Sequence, residues 1–195
     1  MEKIEKWISN NKDIEQELIR LRRHFHEHPE VGHPLPQTQE YIVKLLEMYG
    51  YENIIVNPGG SIEVLVGPHD KKILLLRSDM DALPLVEHTN LPFKSINGSM
   101  HACGHDAHTA ILLNVCEVLS RMTDEFSGTI KFAFQPGEET KGGAEPMIKD
   151  GILEKPKVDA AAALHVEPEL PAGKIRVKDG ALYASPDDFY ITING

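Results

Sequence analysis

The chain has 195 residues, of which 41% are hydrophobic and 26% charged, with a formal net charge of -10. That length suits one domain with a sizeable core and is too short for two comfortable ones, and the acidic balance opposes a phosphate-backbone role, so no nucleic-acid partner is expected. No apolar run approaches the roughly 18 residues of a membrane span, and the N-terminal MEKIEKWISNNKD lacks the order of a signal peptide, so no membrane association and a cytoplasmic location are expected. Only Cys103 and Cys116 are present, which is no disulfide framework and leaves Cys103 free to bind metal in a reducing compartment.

Residues 12–28 carry Ile14, Leu18, Ile19, Leu21 and Phe25 at helical spacing, and Pro29 stops that helix. At its end His24, His26 and His28 occupy alternate positions, which predicts different faces and helix-end or packing roles rather than a shared metal. A second helix opens at Thr38 or Gln39 and ends before Gly50, so two helices are expected before any strand. Short strands follow at Asn53 to Val56, Ser61 to Val66 and Lys72 to Leu76. The last is a continuous apolar run, as for a strand buried on both faces. It runs into Asp79-Met80-Asp81, two carboxylates where open α/β sheets place their ligands.

A loop from Leu85 to Ser99 delivers MHACGHDAHT, which packs His101, Cys103, His105, Asp106 and His108 ahead of an apolar helix that Asp106 or Thr109 can cap. Thiolate, imidazole and carboxylate are the ligands of a borderline-soft divalent cation, so a metal centre at a helix N-terminus is expected. The helix dipole is expected to favour the Cys103 thiolate, while Cys116 lies among aliphatics as a core residue. Thr129 to Gln135 reads as a strand that enters the loop holding Glu138 and Glu139. A helix from Ala144 to Asp150 follows, ended by Gly151. Asp159 to Val166 is a further apolar strand, close-packed by its small residues and ending in His165. Short strands are expected within Leu170 to Val177 and at Asp188 to Ile193.

Three buried strands thus end near Asp79, Glu138 and His165, and a parallel sheet would bring those ends to one edge beside the His101 to His108 loop. The constellation is Cys103, His105, Glu139 and His165, with Asp79 or Asp81 nearby. Of two adjacent glutamates, one can ligate metal while the other moves protons to and from water and a leaving nitrogen. A ligating imidazole needs an acceptor for its other N–H, a role open to Asp81 or Asp106.

With these residues in view, the chain resembles the amidohydrolase branch of the aminoacylase and carboxypeptidase-like metallopeptidases. The stretches that carry the resemblance are LRRHFHEHPEVG, LRSDMDALP, GSMHACGHDAHTAILL, FAFQPGEETKGGAEPMIKDG and ALHVEPELPAGKI. The resemblance implies metal ligands Cys103, His105, Glu139 and His165, with Glu138 as general base and acid and an orienting role for Asp81. It implies an α/β, zinc-exopeptidase-like catalytic domain with a mixed, mostly parallel sheet flanked by helices. One or two divalent ions are implied, Zn²⁺ or Mn²⁺ with Co²⁺ or Ni²⁺ as alternatives, acting on N-acylated amino acids or related conjugates. His101 and His108 are left as positioning or packing residues.

Members of that branch are about twice this long. The resemblance therefore implies that residues 1–184 form the N-terminal part of the catalytic domain and 185–195 begin an inserted α+β lid, through which full-length relatives form homodimers. The expectation is an incomplete domain, short of a last histidine ligand, and a weakly active or inactive chain. Two other functions compete: a binding module stabilised by a closed metal site, and a thiol hydrolase in which Cys103 attacks with His101 or His105 as its base.

Overall fold

The structure is a computed structural model and describes residues 2–11, 13–68, 71–140, 142–182 and 189–193. Helices α1 (Glu2–Asn10), α2 (Ile14–Glu27) and α3 (Pro36–Met48) precede strands β1 (Ile55–Val56), β2 (Ile62–Val66) and β3 (Ile73–Asp79). Helix α4 (His105–Ser120), strand β4 (Thr129–Gln135), helix α5 (Ala144–Asp150) and strand β5 (Ala160–Ala163) follow. Three helices rather than two therefore come before the first strand. α1 is an additional amphipathic helix of about two and a half turns.

The five strands form one sheet in the order β1-β2-β4-β3-β5. β1, β2 and β4 pair antiparallel, whereas β3 pairs parallel with both β4 and β5. Parallel neighbours need a crossover, and α4 supplies it between β3 and β4. The strand alternation sorts the two faces. Ile62, Val64, Phe132 and Phe134 point to α2, α3 and α4, where they pack with Leu21, Phe25, Ile42, Leu46, Leu113 and Cys116. Burial of each such side chain stabilises the fold by about 1.5–3 kcal/mol. On the other face Leu75 and Ala133 meet Met147 and Ile152 beside α5.

Lys131 also points to that second face and is fully buried. Its Nζ donates to the Ile152 and Lys155 carbonyls at 2.6 and 3.0 Å and pairs with Glu63 at 2.9 Å. These bonds tie the turn after α5 to the middle of the sheet.

Several expectations are corrected. β3 is buried only in part, since Leu74 is open on one face. β5 is an exposed edge strand that ends at Ala163, not a close-packed one reaching His165, because only β3 pairs with it and no described side chains cover its alanines. No strand forms within 170–177 or 189–193: alternation alone does not make a strand without a partner for its backbone groups. Asp188 and most of the 185–195 segment assigned to a lid lie outside the described residues. His24 and His28 share a face and stack at 4.7 Å, as i and i+4 neighbours do, while His26 alone turns inward.

Candidate metal centre

Because β3, β4 and β5 run parallel, their C-terminal ends meet at one edge. The loop after β3 returns α4 so that its first turn stands over that edge, with Thr109 Oγ1 donating to the Asp79 carbonyl at 2.9 Å. Gly104, at φ +91°, begins the helix. Neither Asp106 nor Thr109 caps it, because a left-handed glycine turns the chain directly into the helix. After β4 the chain folds back at Pro136, and Gly143 passes so close to the Pro136 carbonyl that any Cβ would collide with it. That close approach sets the loop that carries Glu138 and Glu139.

Asp81 organises the acidic side. Its buried carboxylate accepts the Glu138 N–H on one oxygen and the Glu139 N–H on the other, both at 3.0 Å. Its main-chain carbonyl accepts Nδ1–H of His105 at 2.9 Å. This fixes the His105 tautomer, so Nε2 carries the lone pair and faces Asp79 Oδ2 at 3.6 Å, Glu139 Oε1 at 3.8 Å and Glu138 Oε2 at 3.9 Å. The acceptor for the imidazole is thus the Asp81 backbone, not the Asp106 side chain. His165 is set similarly: Nδ1 lies 2.7 Å from the Val166 carbonyl, and Nε2 lies 3.4 Å from Cys103 Sγ.

Among the described residues three groups of donor atoms result, Cys103 with His105 and His165, His105 with Glu138 and Glu139, and Asp79 with His105 and His108, the atoms of each within 4.8 Å of one another. His105 Nε2 and Glu139 Oε1 are buried without a hydrogen-bond partner. Buried polar atoms are normally paired, so two orphans aimed into one cluster fit a cation that the donor set itself would hold. Cys103, His105, Glu138, Glu139 and His165 lie in these groups, and Asp81 stands behind them, bonded to the backbone of Glu138 and Glu139.

The electrostatics point the same way. Burial, and then the adjacent Glu139, Glu138 and Asp79 carboxylates, push the Cys103 thiol up to about 12. The expected helix-dipole activation is overturned, since burial and negative neighbours outweigh it. His101 makes no hydrogen bond to Cys103; the imidazole beside the sulfur is His165, with Nε2 at 3.4 Å. Burial disfavours a charged His105, but Asp81, Asp79 and Glu139 raise its pKa overall. Asp79, despite burial, is held down to about 2 by His108, Arg77 and His105.

A second buried network stands behind the site. His26 bridges Asp106 at 2.8 Å and Glu87 at 3.1 Å, and Arg22 reaches the same Asp106 oxygen at 2.8 Å. Glu87 also accepts from Thr89 Oγ1 and the Ser95 N–H. His26 lies one helical turn after Arg22, which shares its Asp106 partner, and that i and i+4 spacing was the available signal.

Residues 75–190 match the description of peptidase family M20/M25/M40. The chain belongs to this family. Among members of M20/M25/M40 and their kin, the N-acetylcysteine deacetylase of Bacillus subtilis is 41% identical over 95% of this chain and 49% of its own length. The N-acyl-L-amino acid amidohydrolase of Geobacillus stearothermophilus is 37% identical over 94% of this chain and 50% of its own. A crystal structure described as a dinuclear metal-binding peptidase of family M20, from Bacillus subtilis, superposes with a TM-score of 0.81 at 39% identity. It covers 87% of this chain and 48% of that one. The chain spans about half the length of the curated M20 relatives it matches.

Proposed function

We propose that this chain carries the metal-binding side of an amidohydrolase that cleaves the amide bond of N-acylated amino acids or related small conjugates. The observation that carries the proposal is the convergence of two orphaned buried atoms, His105 Nε2 and Glu139 Oε1, with Cys103 Sγ and His165 Nε2. Cys103, His105, Glu139 and His165 would hold one or two divalent ions, Zn²⁺ or Mn²⁺ first, with Co²⁺ or Ni²⁺ compatible with the same donors. Such an ion supplies Lewis acidity and brings the pKa of a coordinated water to about 7. The names of the amidohydrolase and deacetylase relatives, and of the dinuclear M20 peptidase, support substrate class and metal use.

Glu138 takes the proton of the attacking water and returns it to the departing nitrogen. It is the more exposed of the adjacent pair, 43% against 19%, so its oxygens are open to water and substrate while Glu139 faces the donor group. Asp81 holds both glutamates through their backbone, and its carbonyl keeps His105 in the ligating tautomer. The openness of Glu138 and His165 leaves water poorly excluded, which sets turnover by the isolated chain low.

The test is hydrolysis of N-acetyl amino acids by the Zn²⁺- or Mn²⁺-loaded chain, with metal content measured alongside. Glu138→Gln abolishes turnover and leaves metal content unchanged. Retained turnover in that variant, or a wild-type chain that binds no metal, refutes the proposal.

A further inference from the structure

His108 is buried in the first turn of α4, and the chemistry proposed above gives it no task. Its two ring nitrogens are committed in opposite senses. Nε2 lies 2.9 Å from the Val166 backbone nitrogen, and since an N–H can only donate, Nε2 presents its lone pair there. The ring proton is therefore on Nδ1 and is donated to Asp79 Oδ1 at 2.6 Å. Asp79 is anchored in turn by Arg77 Nη1 at 2.8 Å on its other oxygen. His108 forms a group of donor atoms with His105 and Asp79, but both of its nitrogens are hydrogen-bonded, so we assign it no metal.

The bond to Val166 falls where the sheet stops. The β3–β5 ladder ends at the Arg77–Ala163 pair, and Leu164, His165 and Val166 continue beyond it on the exposed side. Besides the edge-on contacts of the His165 ring with His108 and His105, at 4.6 and 6.3 Å, two contacts of Val166 tie this extension to α4. One is Val166 N–H on His108; the other is the Val166 side chain seated on Gly104, where a Cβ would collide with Val166 Cγ2. His165 lies between the last ladder pair and this tie, and its Nε2 ends beside Cys103 Sγ.

We infer that His108 is a positioning residue: by accepting the Val166 N–H it latches the end of β5 to the first turn of α4 and so fixes the His165 imidazole at the donor group. The latch rests on the reading of His165 as a metal ligand. It assigns Asp79 a matching task, holding the His108 ring in the only tautomer that can accept the Val166 N–H.

The test is Zn²⁺ affinity of the full chain, measured by competition with a chromophoric chelator, in His165→Ala, His108→Asn, His108→Gln and the His165→Ala/His108→Asn double variant. A glutamine carbonyl can occupy the place of Nε2 and accept from Val166, whereas asparagine reaches only the place of Nδ1. His108→Asn is expected to weaken Zn²⁺ binding about 10- to 100-fold, and His108→Gln to restore most of it. The double variant is expected to bind no more weakly than His165→Ala alone, because a residue acting through His165 has nothing left to position; a merely structural loss would add to it.

Equal affinities for the Asn and Gln variants, additive losses, or parental affinity in His108→Asn beside a weakened His165→Ala overturn the latch alone. Unchanged affinity in His165→Ala overturns the ligand assignment and the latch with it. Should His108→Asn fail to fold by circular dichroism, the imidazole ¹⁵N resonances of the parent chain decide. An Nδ1-protonated His108 whose Nε2 does not take on metal coordination when Zn²⁺ is added supports the latch, and coordination there overturns it.

Discussion

Replacing Asp81 by asparagine changes the side chain by one atom and tests the acidic half of the site directly. In the native chain both carboxylate oxygens accept backbone N–H groups, from Glu138 and Glu139, at 3.0 Å each. The amide of Asp81→Asn offers one accepting oxygen and one NH₂, so one of those backbone donors faces another donor. The loss is one charge-assisted hydrogen bond, about 1.5–3 kcal/mol, together with a buried N–H left unpaired at about 1–3 kcal/mol. Relief by local movement takes back part of this, which leaves roughly 3 kcal/mol. For a chain of this length that lowers Tm by about 6–12 °C. The movement that relieves the clash shifts Glu138 and Glu139, so Zn²⁺ affinity falls about tenfold or more in the same variant. Urea unfolding and chelator competition measure the two effects. An Asp81→Asn chain with parental Tm and parental Zn²⁺ affinity refutes the clamp.

Lys131→Met strands Glu63 without its cation in the sheet interior and is expected to cost about 3–5 kcal/mol, a loss that Glu63→Gln in the same chain largely repairs; equal Tm values for the single and double variants refute this. Burial would raise the Glu87 pKa, but bonds from Thr89, Ser95 and His26 hold it at about 2, below its ordinary value. Its contribution is therefore complete above the unfolded carboxyl pKa and is lost as pH falls from about 4.5 towards about 2, so Glu87→Gln flattens the acid limb of stability over that window. Metal uptake requires thiolate and neutral imidazole, yet the Cys103 thiol is pushed up to about 12 and His105 is raised above its ordinary value. Binding at neutral pH then releases at least one proton and tightens as pH rises, as calorimetry in two buffers of different ionisation enthalpy would show; affinity falling between pH 6 and 8 refutes it.

The parts of the fold legible in the sequence are those whose signal is local. β4 runs over Thr129–Gln135 as its alternation predicts, and α5 ends at Gly151, whose φ of +96° is a glycine conformation. The strand-like runs at 170–177 and 189–193 were misleading because alternation states a preference for a sheet without stating that a partner strand is present. The site was legible as far as strand ends and residue types go, since carboxylates, thiol and imidazole after apolar runs converge whenever the strands are parallel. What was not legible depends on contacts between distant positions. Asp81 meets Glu138 across 57 residues and His26 meets Asp106 across 80, and no periodicity records which oxygen accepts which N–H. The tautomers of His105 and His108 are invisible for the same reason.

The arrangement shifts weight from the histidine-rich stretch to the end of β3. Asp79 and Asp81 lie one residue apart around the buried Met80, and neither is in the proposed ligand set. Asp81 governs one side of the donor group, through the backbone of Glu138 and Glu139 and the Nδ1–H of His105. Asp79 governs the other, through His108 and hence the chain that carries His165. Cys103, His105, Glu139 and His165 come from three separate segments, each with its own freedom to move. Two aspartates on one strand end, anchored by the β3–β4 ladder that runs to Asp79 and Gln135 and by the Met80 N–H on the Gln135 carbonyl, give those segments a common reference. A centre assembled this way loses geometry on one side or the other when either aspartate is neutralised, and loses both when the end of β3 frays. Its rigidity is therefore that of a central strand, even though most of its donors stand on loops.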